Sequence, residues 1–149
     1  DLLSRAVVIG ANYHKDGLLS SSSTSGDPDD EEFATGRDRY VELTPDGADH
    51  WPVIFEKTQQ MWLAEPTLTL AEIATIAAPV LVMVGDDDVI AHGHTIDLYE
   101  ALPEGQLAVI PGTSHGVKKE KPEVVNGLIL DFLGDDTLPS ELKTVRTGR

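Results

Sequence analysis

The chain has 149 residues, 40% of them hydrophobic, which favours one domain with a buried core. Its 11 basic and 26 acidic residues give a formal net charge of -15, so we expect neither nucleic acid nor an anionic membrane surface as a partner. The absence of cysteine excludes disulfides and a cysteine nucleophile within the chain, and no apolar run is long enough to span a bilayer, so we expect a cytoplasmic protein.

The first predicted element is a short apolar strand, Ala6 to Ile9, followed by Gly10. The chain starts without methionine and reaches this strand almost at once, so we expect it to be part of a longer protein. Residues 10 to 50 show no periodicity and include a serine run and an acidic run at positions 27 to 32, which predicts a mobile, solvated excursion. A basic partner for the acidic run is the less favoured interpretation.

Two helices are predicted next. Pro52 stands at a favoured first helical position, and the apolar residues that follow have helical spacing, so we expect about three turns on Ile54, Phe55, Thr58, Met61 and Trp62. Trp51, Phe55 and Trp62 are candidates for lining a substrate pocket, although core packing is the ordinary explanation of this spacing. Thr69 and Glu72 have capping-box spacing, which predicts the start of a short helix.

The second half of the chain predicts a βαβ unit and a last helix. Residues 79 to 85 form an uninterrupted apolar strand, a helical stripe (Ile96, Tyr99, Leu102) follows, and residues 107 to 110 form the next strand. The last helix starts near Pro122, ends at Gly134, and has these residues inward: Val125, Leu128, Ile129, Phe132 and Leu133. This alternation predicts an α/β fold with a parallel sheet of about three strands.

Polar side chains follow two of these strands. Asp86, Asp87 and Asp88 come after the 79–85 strand, and His115 comes after the next one. Any one of them alone is best explained as a solvated turn residue. Neighbouring parallel strands bring their carboxyl ends together, however, and a carboxylate bound to one imidazole nitrogen leaves the other free as a general base. An aspartate of this cluster together with His115 therefore favours catalysis.

Four segments in this region carry a family resemblance: PVLVMVGDDD (79–88), LYEALPEG (98–105), LAVIPGTSHG (107–116) and KPEVVNGLILDFL (121–133). Together they resemble the carboxyl-terminal third of the α/β-hydrolase family. The resemblance implies that Asp88, third after the glycine closing its strand, is the triad acid and that His115 is the base. Asp86 and Asp87 would then support the acid or form its turn. Many members have proline where this chain has His92.

The resemblance also divides the chain. It implies a strand and the start of a cap (1–12), a small cap segment with a disordered acidic loop (13–70), the carboxyl-terminal part of a partial α/β-hydrolase core (71–134) and a polar tail (135–149). In the family the strands matched here lie at one edge of a larger sheet. We therefore expect a bared strand edge through which the chain can self-associate.

The nucleophile is the main departure from the family. Family members place it before the acid on a Gly-x-Ser-x-Gly turn, and no such turn precedes Asp88. A literal match occurs at residues 112 to 116, but no histidine follows it, so we interpret Ser114 as a chance match. The resemblance implies a parent that hydrolyses a small ester, lactone or thioester without a cofactor, while this chain alone is inactive. An aspartate nucleophile or carbon–carbon cleavage is also possible on this scaffold.

Three alternatives remain open. Clustered aspartates after a strand also occur in magnesium-binding receiver domains, but those have a lysine at a later strand end where this chain has His115. His92 and His94 are candidate metal ligands, yet residues two apart point in different directions on a helix, so we expect exposed helix-start residues and no metal. The third alternative is a non-catalytic interaction module that has lost the nucleophile.

Overall fold

The computed structural model describes residues 3–19 and 26–134, and its centre is a parallel three-stranded sheet. The strands are β1 (Ala6–Ile9), β2 (Val80–Asp87) and β3 (Gly105–Ser114), in the order β1-β2-β3. Ala6 is paired with Val80, which is paired with Gly105. The predicted α/β class and the number of strands are therefore confirmed. The serine run and the polar tail lie outside the described residues.

The central strand β2 explains the uninterrupted apolar sequence. Its first six residues are all buried, because helices cover both faces of the sheet. Leu81 and Met83 pack on one face, together with Ile110, Val117, Val125 and Phe132. Val80 and Val82 pack on the other, together with Ile73, Leu98 and Leu102.

Six α-helices accompany the sheet in the described part of the chain: α1 (Ala34–Leu43), α2 (Trp51–Ala64), α3 (Leu70–Ile73), α4 (His92–Ala101), α5 (Val117–Glu120) and α6 (Pro122–Gly134). Helices α5 and α6 contribute to one core cluster, and α3 and α4 to the other. The helices α1 and α2 belong to an insertion between β1 and β2, here called the helical insertion (residues 26–68). None of these helices is long and apolar enough to cross a membrane.

Several predicted helix features are confirmed. Pro52 lies in the first turn of α2. The Thr69 hydroxyl accepts a hydrogen bond from the Glu72 amide at 3.2 Å, and the Glu72 carboxylate accepts one from the Thr69 amide at 2.8 Å, which completes the capping box. Helix α6 starts at Pro122 and is helical as far as Gly134, the last described residue.

Two predicted inward residues are wrong. Leu133 in α6 is 50% exposed, because it lies about 100° around the helix axis from the buried Phe132. Ile96 in α4 is 38% exposed, and the buried positions of that helix are Thr95 and Leu98. The apolar pattern of α4 was ambiguous, because one of its buried positions is occupied by a threonine and not by an apolar residue.

The expectation of an aperiodic excursion over residues 10–50 is also corrected. That span contains helix α1, Ala34–Leu43, and short 3₁₀ turns on either side of it. No residue of α1 is buried, so the sequence shows no apolar stripe from which the helix could be recognised. Strands β2 and β3 are longer than predicted and include the polar residues up to Asp87 and Ser114.

Candidate active site

The acid and the histidine follow directly after two neighbouring strands. Asp88 comes one residue after β2, and His115 one residue after β3. The strands are parallel, and Asp87 is paired with Ser114 after an irregularity in the ladder between Gly85 and Asp87. This register makes Asp88 and His115 neighbours, and His115 Nδ1 lies 2.8 Å from Asp88 Oδ1.

The two side chains differ in their environment. The Asp88 side chain is fully buried, whereas the His115 side chain is 52% exposed. Asp88 Oδ1 also accepts a hydrogen bond from the Ile90 amide at 3.0 Å, which fixes the carboxylate. With this carboxylate as the acceptor, His115 Nδ1 carries the proton and Nε2 is the basic nitrogen. Within the described residues Nε2 has no hydrogen-bond partner, so it is free to take a proton from a reactant.

Gly10, at the end of β1, lies against this pair. Its φ is +57°, and a Cβ atom at this position would lie 2.8 Å from His115 Cε1 and 3.5 Å from Asp88 Oδ2. Both the backbone conformation and the space therefore require glycine. Asp88 Oδ2 is buried and has no hydrogen-bond partner among the described residues. In the sequence Gly10 marks only the end of the first predicted strand. Its position directly after that strand was the one feature from which a close contact could have been predicted.

The solved structures that are similar to this chain share one fold. BpoC from Mycobacterium tuberculosis, described as a non-heme bromoperoxidase, is 25% identical over 89% of this chain and 58% of its own, with a TM-score of 0.57. A meta-cleavage product hydrolase from Pseudomonas fluorescens is 18% identical over 90% of this chain and 57% of its own, with a TM-score of 0.66. The esterase RhEst1 from Rhodococcus is 18% identical over 89% of this chain and 56% of its own, with a TM-score of 0.61.

The chain has part of the α/β-hydrolase fold. It spans less than two thirds of the length of these matched structures. No protein-family model matches the sequence, and no curated protein matches it either.

Carboxylates also hold the loop that bears the histidine in this α/β-hydrolase fold. Asp86 Oδ1 accepts a hydrogen bond from the Thr113 amide at 3.0 Å. Glu120 accepts two from Ser114, 2.7 Å from its amide and 2.5 Å from its hydroxyl. The backbone amides of Gly112 and Thr113 lower the pKa of Asp86, and the hydroxyl and amide of Ser114 lower the pKa of Glu120. The role of Glu120 was not predicted from the sequence, because no motif or residue spacing links this position to Ser114.

The Ser114 side chain is held by Glu120 and the Gly116 amide and not by the histidine. Its hydroxyl donates to Glu120 and accepts from the Gly116 amide at 3.1 Å, so the hydroxyl hydrogen is already engaged. Gly85 lies beneath the same loop, since a Cβ atom there would lie 2.4 Å from the carbonyl oxygens of Thr113 and Ser114. The glycine that closes β2 therefore permits the close approach of the histidine loop.

His92 and His94, which we expected to be exposed, differ from each other. His92 is exposed and its Nε2 donates to the Gly85 carbonyl oxygen at 3.2 Å. The prediction is wrong for His94, which is half-buried, stacks on Tyr13 with ring centroids 3.9 Å apart, and accepts hydrogen bonds from the Tyr13 and His14 amides. Burial lowers the pKa of His94. No group of three or more metal-ligating side chains occurs in the described ranges.

The aromatic residues of the helical insertion line an open groove of about 730 Å³ between α1 and α2. Phe55 is buried, and Trp51 packs against it with ring centroids 5.5 Å apart, as core packing predicts. Trp62 is 42% exposed, so the core-packing interpretation is wrong for this residue.

Proposed function

We propose that the chain supplies the general base and its orienting acid to a hydrolase of small carboxylic esters, lactones or thioesters. The observation that supports this proposal is the hydrogen bond between His115 and the fully buried Asp88 at neighbouring strand ends. A buried carboxylate that accepts from Nδ1 fixes the histidine tautomer and leaves Nε2 as the base. Two of the matched structures, an esterase and a meta-cleavage product hydrolase, also support a hydrolytic reaction.

The proposed reaction has two halves. A serine oxygen attacks the carbonyl carbon while its proton passes to His115 Nε2; the tetrahedral intermediate then expels the alcohol or thiol, which takes that proton and leaves an acyl-serine. In the second half His115 removes a proton from water, and the water oxygen attacks the acyl carbon. The serine oxygen then leaves with the proton, and the carboxylic acid is released. Asp88 stabilises the imidazolium in both halves.

In the proposed reaction the nucleophile is not one of the residues of this chain. In the α/β-hydrolase fold it precedes the acid and the histidine, on a Gly-x-Ser-x-Gly turn. Residues 1 to 87 contain no such turn, and Ser114 is bound to Glu120. We therefore assign the nucleophile to a segment outside this sequence, and we expect the chain alone to be inactive. The greater length of the matched structures supports this assignment.

The test compares three variants in a protein that carries the upstream segment. His115→Ala and Asp88→Asn are each expected to lower kcat for an activated ester by about 10³- to 10⁴-fold, because the base or its tautomer is lost. Ser114→Ala removes the hydroxyl bond to Glu120 but keeps the base and the acid, so it is expected to lower kcat by less than about 10-fold. Full activity of His115→Ala would overturn the proposal, and an inactive parent would favour the non-catalytic module instead.

A further inference from the structure

We propose that Asp86 is a positioning residue that sets the place of His115 relative to Asp88, acting on the backbone of the histidine loop. This inference rests on the proposed function, because it names a further residue of the same site. Asp86 does not touch the imidazole. Its carboxylate binds the Thr113 amide, two residues before the histidine.

The geometry forms two parallel connections between β2 and β3. Asp86 binds Thr113, and Asp88 binds His115, so each connection joins residues 27 positions apart. The second connection therefore lies two residues further along the chain than the first at both of its ends. The bond made by Asp86 thus fixes the register that the catalytic pair uses.

The histidine loop needs this bond because the strand ladder is interrupted there. The β2–β3 pairing has an irregularity between Gly85 and Asp87, and Gly112 turns the chain with a φ of +65°. The buried Thr113 amide donates to the Asp86 carboxylate at 3.0 Å, and the backbone amides of Gly112 and Thr113 lower the pKa of this carboxyl group. Buried backbone amides require a partner, so Asp86 replaces the missing strand contact.

Thr113 transmits this restraint to the histidine. It is only 4% exposed, and its hydroxyl donates to the Ile110 carbonyl oxygen at 2.7 Å. Its amide is held by Asp86 and its side chain by β3, so the residue is fixed from two sides. With Thr113 fixed, only Ser114 separates the anchored backbone from His115.

Asp87 provides a matched control within the same acidic run. It is exposed, and its carboxylate has no hydrogen-bond partner among the described residues. Substitution of Asp86 or Asp87 by alanine removes the same charge at adjacent positions. A difference between the two variants therefore reports the backbone bond and not the loss of negative charge.

The first experiment uses NMR on the 149-residue chain and does not need activity. In Asp86→Ala we expect amide exchange at Thr113 to become at least about 10-fold faster and the low-field Nδ1 proton signal of His115 to broaden, because a charge-assisted bond is lost. Asp87→Ala is expected to change neither. Asp86→Asn, which keeps an acceptor oxygen, is expected to fall between them, and it decides the matter if Asp86→Ala does not fold. Unchanged exchange in a folded Asp86 variant, or equal effects at positions 86 and 87, would overturn the inference.

The second experiment measures esterase kinetics in the protein that carries the upstream segment. Asp86→Ala is expected to lower kcat about 10- to 100-fold with KM within about 2-fold, because the base is misplaced while the substrate surface is intact. Asp87→Ala is expected to retain wild-type kcat. If the wild-type parent hydrolyses no ester, the proposed function fails, while the NMR comparison still judges Asp86. If the parent is active and the two alanine variants are equal, only the inference about Asp86 fails.

Discussion

The sheet and the helical insertion of this chain are packed in different ways. Six consecutive residues of β2 are buried, with Met83 fully inaccessible. In the helical insertion only Phe55 is buried. Large apolar side chains are exposed there, including Leu43 at 63% and Leu63 at 59%. The candidate pair, Asp88 and His115, is attached to the densely packed region. Its geometry therefore depends on the sheet, whereas the insertion contributes little to the core.

The insertion is nevertheless joined to the site through the segment from Tyr13 to Leu19. The Leu68 amide donates to the Tyr13 carbonyl oxygen at 3.0 Å, where the insertion returns to the core. The Leu19 amide donates to the Val89 carbonyl oxygen at 2.8 Å, in the loop directly after Asp88. This short segment thus connects the carboxyl-terminal end of the insertion to the loop that follows Asp88.

The largest expected effect tests the difference in packing, and the two methionines of the chain form a matched pair. Met83 in β2 is 0% exposed and Met61 in the insertion is 51% exposed. We expect Met83→Ala to reduce the free energy of unfolding by about 2–5 kcal/mol, because it leaves a cavity. Met61→Ala is expected to change it by at most about 0.5 kcal/mol. Urea denaturation measures both, and equal losses would contradict the comparison.

A second prediction concerns the contact between Gly10, directly after β1, and the candidate pair. Gly10→Ala is expected to displace the imidazole and abolish the low-field Nδ1 proton signal of His115, because the new methyl group would lie 2.8 Å from its ring. Gly47 in the insertion is the control: it also has a positive φ, of +86°, but nothing lies within 4 Å of a Cβ atom there. Gly47→Ala should strain the backbone while leaving the histidine signal intact. Retention of that signal in Gly10→Ala would exclude the steric role.

The smallest expected effect is a pH dependence at the junction of insertion and core. Burial holds the pKa of His94 below its ordinary value of 6.5, and the charges facing it are Asp97, His14 and Asp16. The unfolded chain therefore binds this proton at a higher pH than the folded chain. The stability contributed by neutral His94 is complete above 6.5 and decreases as the pH falls through 6.5 toward the folded-state pKa.

Urea midpoints at about pH 7.5 and about pH 5.5 measure this dependence. His94→Phe keeps a ring beside Tyr13 but cannot be protonated, so it is expected to lose less stability than the wild type between the two conditions. The same loss in both proteins would show that His94 makes no contribution to the pH dependence.

Sequence patterns predicted the regions whose residues respond to one strong physical demand. The apolar run of β2, the capping box at Thr69 and the βαβ order follow from burial and local hydrogen bonding, and the structure confirms them. The pairing of Asp88 with His115 was predictable because parallel strands bring their carboxyl ends together. Helix α1 was not, since it buries none of its residues and leaves no periodic signal.

The sequence by itself determined the class of fold and predicted the candidate pair, because hydrophobic periodicity and strand-end position are local properties and the family resemblance selected Asp88 among the three aspartates. Only the tertiary structure decided that Gly10 packs on the imidazole, that Asp86 binds the Thr113 amide and that His94 joins the insertion to the core. These contacts join residues distant in the chain, and they depend on strand register and on loop paths that residue types alone do not specify.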